Sequence, residues 1–314
     1  YRNVFRRKVI KKHIHENDIV DIQWCGYYYS KYIDLIKKQS NKIIASPFGS
    51  DVLRATKEER KIQKKIFNTA LAIVLGRNWA DTFISYFPEA QEKLRFNQFG
   101  SARFDMINEL WSLERKRKLR IKHQIPEHKI AVTVGYSANP LQQHLLFMEM
   151  LKQADSEIKK KLFLIVPLTY GLNKNDPCYI NLKKTIAESG IEFLLFEKRL
   201  SDMELCESKI ISDITVSLQT TDTQSSSIKE AFAAKNILMA GDWLPYEFYE
   251  ELGLFIKRSS LENFYADFIE IVKNFDDYYQ KSEDNSNKLE AFASWKLIVP
   301  RFIDVYKEIG YGRN

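Results

Sequence analysis

Short apolar runs alternate along this chain with stretches in which apolar residues recur every three or four positions. The runs are Ile19–Trp24, Lys42–Ser46, Ala70–Leu75 and Leu94–Asn97, then Lys129–Val134, Leu162–Pro167, Ile191–Phe196, Ile214–Leu218 and Ile237–Ala240. Between them lie helical periods at Tyr28–Lys38, Lys57–Phe67, Trp79–Phe87, 106–122, Leu141–Gln153, Tyr179–Ser189 and Asp202–Ser212. A run apolar at nearly every position fits a strand buried on both faces, and a period near 3.6 fits a helix with one buried stripe. Strands alternating with helices predict parallel sheets covered by helices, an α/β fold. At the end of the chain Phe264, Phe268, Ile271, Phe275 and Tyr278 recur at helical spacing, as do Trp295, Ile298, Phe302, Val305 and Tyr306. Both stripes read as core, and a terminal helix crossing back onto the first domain would use them.

Pro126 disfavours helix at the residue before it and interrupts the pattern between 122 and 129. The expected division is therefore 1–125 and 126–314, two domains each long enough to bury a core. No uncharged apolar run reaches the length of a membrane span. Cys25, Cys178 and Cys206 have neither a CxxC pair nor a histidine at ligand spacing, so they read as reduced cysteines and no metal site is expected. The net charge of +7 conceals an asymmetry: residues 1–125 hold 26 Lys+Arg against 13 Asp+Glu, and residues 126–314 hold 22 against 28. A basic first half suits a polyanionic surface, phospholipid or nucleic acid, or is simply a solvated face. The first residues fit the same reading: Tyr1, Phe5 and Val9 share a helical face bordered by Arg2, Arg6, Arg7, Lys8, Lys11 and Lys12. That pattern suits an interfacial helix or a surface helix packed on a domain.

The chemistry concentrates in Ser217–Gly241. A strand ending at Leu218 runs into a hydroxyl-rich loop, then into a helix carrying Glu230, then into the strand Ile237–Ala240. Ligands of open parallel sheets bind at the carboxyl ends of strands. Ser225, Ser226 and Ser227 stand where the helix starts, so hydroxyls, unpaired N–H groups and the positive end of the helix dipole suit an anion such as a diphosphate. Lys198, Arg199, Lys257 and Arg258 are the candidate cations for the phosphates. Asp51, after the turn Ser46-Pro47-Phe48-Gly49-Ser50, is the candidate base or acceptor-orienting group; a turn or helix-capping role stands beside it. His144 is a further candidate for touching phosphate.

The two-domain pattern with this loop resembles the GT-B fold of nucleotide-sugar glycosyltransferases, two Rossmann-like domains facing a cleft. The spacing Asp222-x7-Glu230 followed by Ala231-Phe232-Ala233-Ala234 is similar to the acidic motif of the family-4 (group 1) glycosyltransferases, with Asp in place of the more usual first Glu. Gly135-Tyr136-Ser137-Ala138-Asn139-Pro140 with His144, and Val166–Gly171 with Tyr179, look like the donor-domain loops of the transferases that add 4-acetamidofucose to lipid-linked enterobacterial common antigen. The turn at 46–51 resembles a Trp/His-Gly-x-Asp turn of both groups. The resemblance implies that Glu230 accepts from ribose hydroxyls, that Asp222 and the loop amides address sugar and diphosphate, and that Gly135, Tyr136 and Ser137 line the donor site. It also implies a strand, a glycine-rich loop and a helix ahead of Asp18, so the first domain is expected to be incomplete.

These readings lead to one expectation. A nucleotide diphosphate sugar is the donor, a lipid-linked or polysaccharide glycan is the acceptor, and Asp51 and Asp222 are the catalytic candidates. No cofactor or metal is required, and nucleic acid is not a partner. The setting is bacterial surface glycan biosynthesis, in the cytoplasm and peripheral to anionic lipid at the inner membrane face. A sugar-nucleotide 2-epimerase of the same fold is an alternative. So is a non-enzymatic polyanion binder, in which Tyr27, Tyr28 and Tyr29 stack bases.

Overall fold

A computed structural model describes residues 2–223 and 225–311, the side chains of residues 2–6 and of Tyr28 excepted. The apolar face expected of Tyr1 and Phe5, a stacking role for Tyr28 and the loop position Gln224 lie outside the described residues. The chain forms two compact units, Tyr1–Phe99 with Trp295–Asn314 and Gly100–Ser294.

Unit 1 holds four parallel strands in the order β1 (Ile19–Gln23), β2 (Lys42–Ser46), β3 (Ala72–Leu75) and β4 (Leu94–Phe96). Their side chains alternate between two cores, as the pleat requires. Ile43, Ala45, Ile73 and Leu75 face Ile33, Ile36, Ile66, Phe67 and Phe83 from the helices that follow the strands. Ile44, Ala72 and Val74 face Ile298, Phe302 and Val305 of the helix Trp295–Tyr311. That helix is also tied by polar bonds: the Tyr306 hydroxyl donates to Asp21 at 2.9 Å, and Arg95 forks onto Glu308 at 2.6 and 2.9 Å.

Unit 2 is a six-stranded parallel sheet built from β5 (Ile130–Val134), β6 (Leu162–Pro167), β7 (Glu192–Phe196), β8 (Ile214–Ser217), β9 (Ile237–Gly241) and β10 (Lys257–Ser259). The spatial order is β7-β6-β5-β8-β9-β10. This is the doubly wound arrangement, in which strand order reverses between β5 and β8 and a crevice opens above their carboxyl ends. Val132, Val134, Leu164, Val166, Ile214 and Met239 face one layer, with Phe147, Phe264 and Phe268 from its helices. Ala131, Ile165, Leu238 and Ala240 face the other, with Phe104, Ile210 and Phe232.

Two expectations about the division differ from what is found. The units part at Phe99/Gly100, not at Pro126, because the helices Ala102–Leu110 and Leu113–Lys122 pack on the sheet of unit 2. Their basic residues are held there: Lys116 pairs with the buried Asp213 at 2.7 Å, and Arg120 pairs with its other oxygen. Of the aromatic stripes at the end of the chain, the one from Phe264 to Tyr278 stays in the core of unit 2, and the one from Ile298 to Val305 covers the sheet of unit 1. The helix expected over 106–122 is broken at Trp111, where Ser112 accepts the Arg115 N–H and caps a second helix. Strand β10, short and polar throughout, has no apolar run to mark it in the sequence.

Candidate functional site

At the switch point of unit 2 the loops leaving β5 and β8 are laced together. Gln143 donates to the Leu218 carbonyl at 2.7 Å, and the Thr220 N–H donates to the Leu141 carbonyl at 3.0 Å. Above them runs a chain of polar side chains. Tyr136 donates through its hydroxyl to Gln219 at 3.2 Å, Gln142 donates to the same oxygen at 3.1 Å, and Gln219 donates onward to Tyr246 at 3.3 Å. The Tyr246 hydroxyl in turn donates to Asp222 at 2.5 Å. Asp222 also accepts the Ser225 N–H, at 3.1 and 3.2 Å, which closes the turn before the helix Ser226–Ala233. Burial pushes the Asp222 carboxyl above its ordinary range, and the hydrogen bonds from Tyr246 and the loop amides pull it back. Asp222 therefore shapes the loop at the helix start.

Gly135 ends β5 with φ +64, a left-handed conformation, and a Cβ there would lie 2.7 Å from the Nε2 of His144. His144 opens the helix His144–Lys152 and is 3% exposed. Its ring bonds to the Val134 carbonyl, leaving Nε2 buried with no partner among the described residues. Desolvation pushes its pKa down to about 4, so the imidazole is neutral and Nε2 is an acceptor. Ser137, two residues after Gly135, is buried, and the Ala138 N–H donates to the Tyr170 carbonyl at 2.6 Å, drawing in the loop after β6.

The helix Ser226–Ala233 carries a dense set of charges. Glu230 is 3% exposed and its Oε1 accepts from Ser101 at 3.0 Å and from both Nε and Nη2 of Arg103 at 2.9 Å. Lys209 lies buried against the start of the same helix, its ammonium 2.7 Å from the Ser227 hydroxyl. Burial pushes Lys209 and Lys229 each down to about 8, against the opposing pull of Glu230 and, for Lys229, of Asp222. Ser225 lies half-buried beside Asp222, and Ser226 is exposed. Buried cations beside a helix start favour an anion there, through Coulomb attraction in a poorly solvated place.

Of the residues the sequence singled out, Gly135, Tyr136, Ser137, Asp222, Ser225, Ser226, Ser227 and Glu230 lie on the segments that follow β5 and β8. Sequence reasoning missed Ser101, Arg103, Lys209, Gln219 and Tyr246. Lys209 carried a faint signal, a lysine three residues after Cys206 on the apolar stripe of its helix; Arg103 carried none. The expected cations lie elsewhere. Lys198 and Arg199 are exposed after the edge strand β7, with β6 between it and β5, and make no ion pair among the described residues. Lys257 is paired with Asp267 at 3.0 Å and Arg258 with Glu247 at 2.6 Å, so neither is a spare cation. Asp51 is in unit 1, 7% exposed, with Oδ2 accepting the Cys25 N–H at 2.6 Å. Burial pushes its pKa up, opposed by the amides of Cys25, Asp51, Gly49 and Phe48. Among the described residues no group of three His, Cys, Asp or Glu could hold a metal ion, and no helix is long and apolar enough to cross a membrane.

No family model matches the chain, and no curated protein matches it in sequence. Solved structures do match it in fold. The sucrose-phosphate synthase of Thermosynechococcus elongatus superposes with a TM-score of 0.74 at 8% identity, over 94% of this chain and 74% of that one. HepE of Anabaena, solved with UDP and glucose, gives 0.73 at 12% identity, over 97% and 80%. The N-terminal domain of a Candida albicans trehalose-6-phosphate phosphatase gives 0.70 at 12% identity, over 96% and 72%. At such identities the likeness fixes the architecture and leaves the chemistry to the residues. The chain is thus similar in fold to GT-B glycosyltransferases, with two parallel-sheet units as the sequence implied.

Proposed function

We propose that the chain is a glycosyltransferase that takes its sugar from a nucleotide diphosphate. The observation that carries this is the switch point of unit 2. The β5 and β8 loops, the start of the helix Ser226–Ala233 and the buried carboxylate of Glu230 meet where doubly wound sheets hold nucleotides. HepE, similar in fold, has been solved with UDP-glucose. In this reading Glu230 takes ribose hydroxyls, with Arg103 and Ser101 holding its Oε1 and orienting the carboxylate. Ser225, Ser226, Ser227 and Lys209 meet the diphosphate, and Gly135, Tyr136 and Ser137 form the opposite wall. Stabilising the departing diphosphate with fixed dipoles and cations supplies the catalytic effect, with no metal required. Asp51 in unit 1 orients the acceptor or takes its proton. The acceptor is a lipid-linked or polysaccharide glycan, and the setting is surface glycan synthesis at the cytoplasmic face of the membrane. The basic balance of unit 1, 23 Lys+Arg against 12 Asp+Glu, supports that setting.

A thermal-shift panel of UDP, GDP and TDP tests the donor site, since a ligand of the folded state raises its melting temperature. At least one nucleotide stabilises the chain if the reading holds, and a flat response to all three removes it. Glu230→Gln keeps the shape of the Arg103 contact but weakens acceptance, and lowers affinity for that nucleotide about tenfold. Unchanged affinity in calorimetry moves the ribose contact elsewhere.

A further inference from the structure

The loop that leaves β6 carries an aromatic ring held at both ends. Gly171 takes φ +111, a conformation open to glycine, and a Cβ there would lie 2.5 Å from the Asn139 nitrogen and 3.1 Å from the Ala138 carbonyl carbon. Glycine at 171 thus lets the β6 loop lie this close to the β5 loop, and the bond from the Ala138 N–H to the Tyr170 carbonyl at 2.6 Å fastens the contact. At its far end the Tyr170 side chain is hydrogen-bonded to Ser137, which is 1% exposed. Ser137 Oγ accepts the Asn139 N–H at 3.4 Å, so the hydroxyl proton of Ser137 is left for the Tyr170 oxygen. Fastened in this way, Tyr170 is still 60% exposed, the most exposed aromatic of unit 2 among the described residues.

The charges around this ring limit what rests on it. Glu230 and Arg103 both act on the Tyr170 hydroxyl, with opposite signs, and those two groups are paired with each other at 2.9 Å. Their fields offset, so an ionic ligand gains little beside Tyr170. A phosphate is drawn instead to the start of the helix Ser226–Ala233, where the buried Lys209 lies 2.7 Å from the Ser227 hydroxyl. The group that suits Tyr170 is uncharged and planar, since a ring that is already ordered offers stacking at little further cost in entropy. Position agrees with charge. Tyr170 belongs to the loop of β6, and β5 separates that strand from β8. In a nucleotide the base and the diphosphate leave the ribose on different sides. A ribose on Glu230 with its diphosphate at the helix start therefore sends its base toward the β6 side.

We infer that the ring of Tyr170 is the platform on which the base of the donor nucleotide stacks, with Gly171 and Ser137 holding the ring in place. That the stacked group is a nucleotide base rests on the glycosyltransferase reading; that the ring is fastened and exposed beside Ser137 rests on the structure alone. Every base has a π face, so Tyr170 contributes affinity without choosing the base. The test is calorimetry with UDP, GDP and TDP on the full chain and on Tyr170→Ala and Tyr170→Phe, joined to saturation-transfer NMR of the bound nucleotide. Tyr170→Ala weakens every nucleotide that binds the wild type by at least about fivefold, while Tyr170→Phe, which keeps the π face, stays closer to the wild type than to the Ala variant. In the NMR experiment the base protons take up more saturation than the ribose protons in the wild type, and that excess disappears in Tyr170→Ala. A residue that merely held the loop would leave the base-to-ribose ratio unchanged. Full nucleotide affinity in Tyr170→Ala, an equal loss in Tyr170→Phe, or an unchanged ratio overturns the platform. Binding of no nucleotide to the wild type removes the transferase reading and this inference with it; nucleotide binding that ignores Tyr170→Ala removes this inference alone.

Discussion

His144 shows how much a single residue's surroundings decide. In the sequence it is a histidine in the first turn of a helix, after Gly-Tyr-Ser-Ala-Asn-Pro, equally fit for packing or for phosphate. In the fold it is buried behind Gly135, with one ring nitrogen bonded to Val134 and the other unmatched. The folded state holds it neutral to about pH 4, against 6.5 when exposed, so the unfolded chain binds the extra proton first. Its contribution to stability is therefore complete above pH 6.5 and is lost as pH falls toward 4, approaching about 3 kcal/mol. Urea unfolding across that range should show the wild type losing stability more steeply than His144→Gln; parallel profiles would mean that the ring is hydrated. Glu230 teaches the converse. Its spacing to Asp222 was legible, but its partners Ser101 and Arg103 were not, since they stand more than a hundred positions away.

Among the elements, the helix Leu113–Lys122 departs furthest from expectation. Its basic residues counted toward the basic balance expected of residues 1–125. Two of them instead enter unit 2, where Lys116 and Arg120 flank Asp213 at the foot of β8, and Asp213 also accepts the Ala131 N–H of β5 at 2.8 Å. Burial alone would raise the Asp213 carboxyl; Lys116 and Arg120 together hold it below its ordinary range. The Lys116 ammonium further donates to the Ser212 carbonyl at 2.9 Å, and the Arg120 Nε to the Ile211 carbonyl at 3.1 Å. Asp213→Asn strands two buried cations and should cost about 3–5 kcal/mol in chemical denaturation, without any ligand present. A loss below about 1 kcal/mol would mean that the triad is hydrated and works as an ordinary surface pair. The elements themselves were legible wherever an apolar run was long enough to fill a strand. They were illegible where a short polar strand, β10, owes its place to pairing with β9 rather than to its own side chains.

At the scale of the whole molecule the charge asymmetry survives the redrawn boundary. Unit 1 carries 23 Lys+Arg against 12 Asp+Glu, and unit 2 carries 25 against 29. Several of the basic residues of unit 1 are exposed on the helix Arg2–His13, including Arg7, Lys8, Lys11 and Lys12. Each basic residue near an anionic lipid surface contributes on the order of 1 kcal/mol, screened within a Debye length. The full chain should therefore sediment with phosphatidylserine or phosphatidylglycerol vesicles at low ionic strength, and be released by salt. It should ignore phosphatidylcholine. Failure to bind at low salt removes membrane association from the functional proposal and leaves the donor site untouched.

The sequence by itself determined the α/β class, nine of the strands and the strand, loop, helix and strand of Ser217–Gly241, because a strand or helix is written in the local period of its apolar residues. Tertiary structure alone decided the strand order that makes β5 and β8 neighbours, and with it the meeting of Gly135, Gln219 and Asp222 at one crevice. It also decided that Arg103 answers Glu230, that Lys209 rather than Lys198 lies at the helix start, and that Asp213 draws the basic helix into unit 2. These are pairings between distant positions. Burial and electrostatic complementarity select them only once the chain has brought the partners within a few ångströms, and no local pattern records that choice.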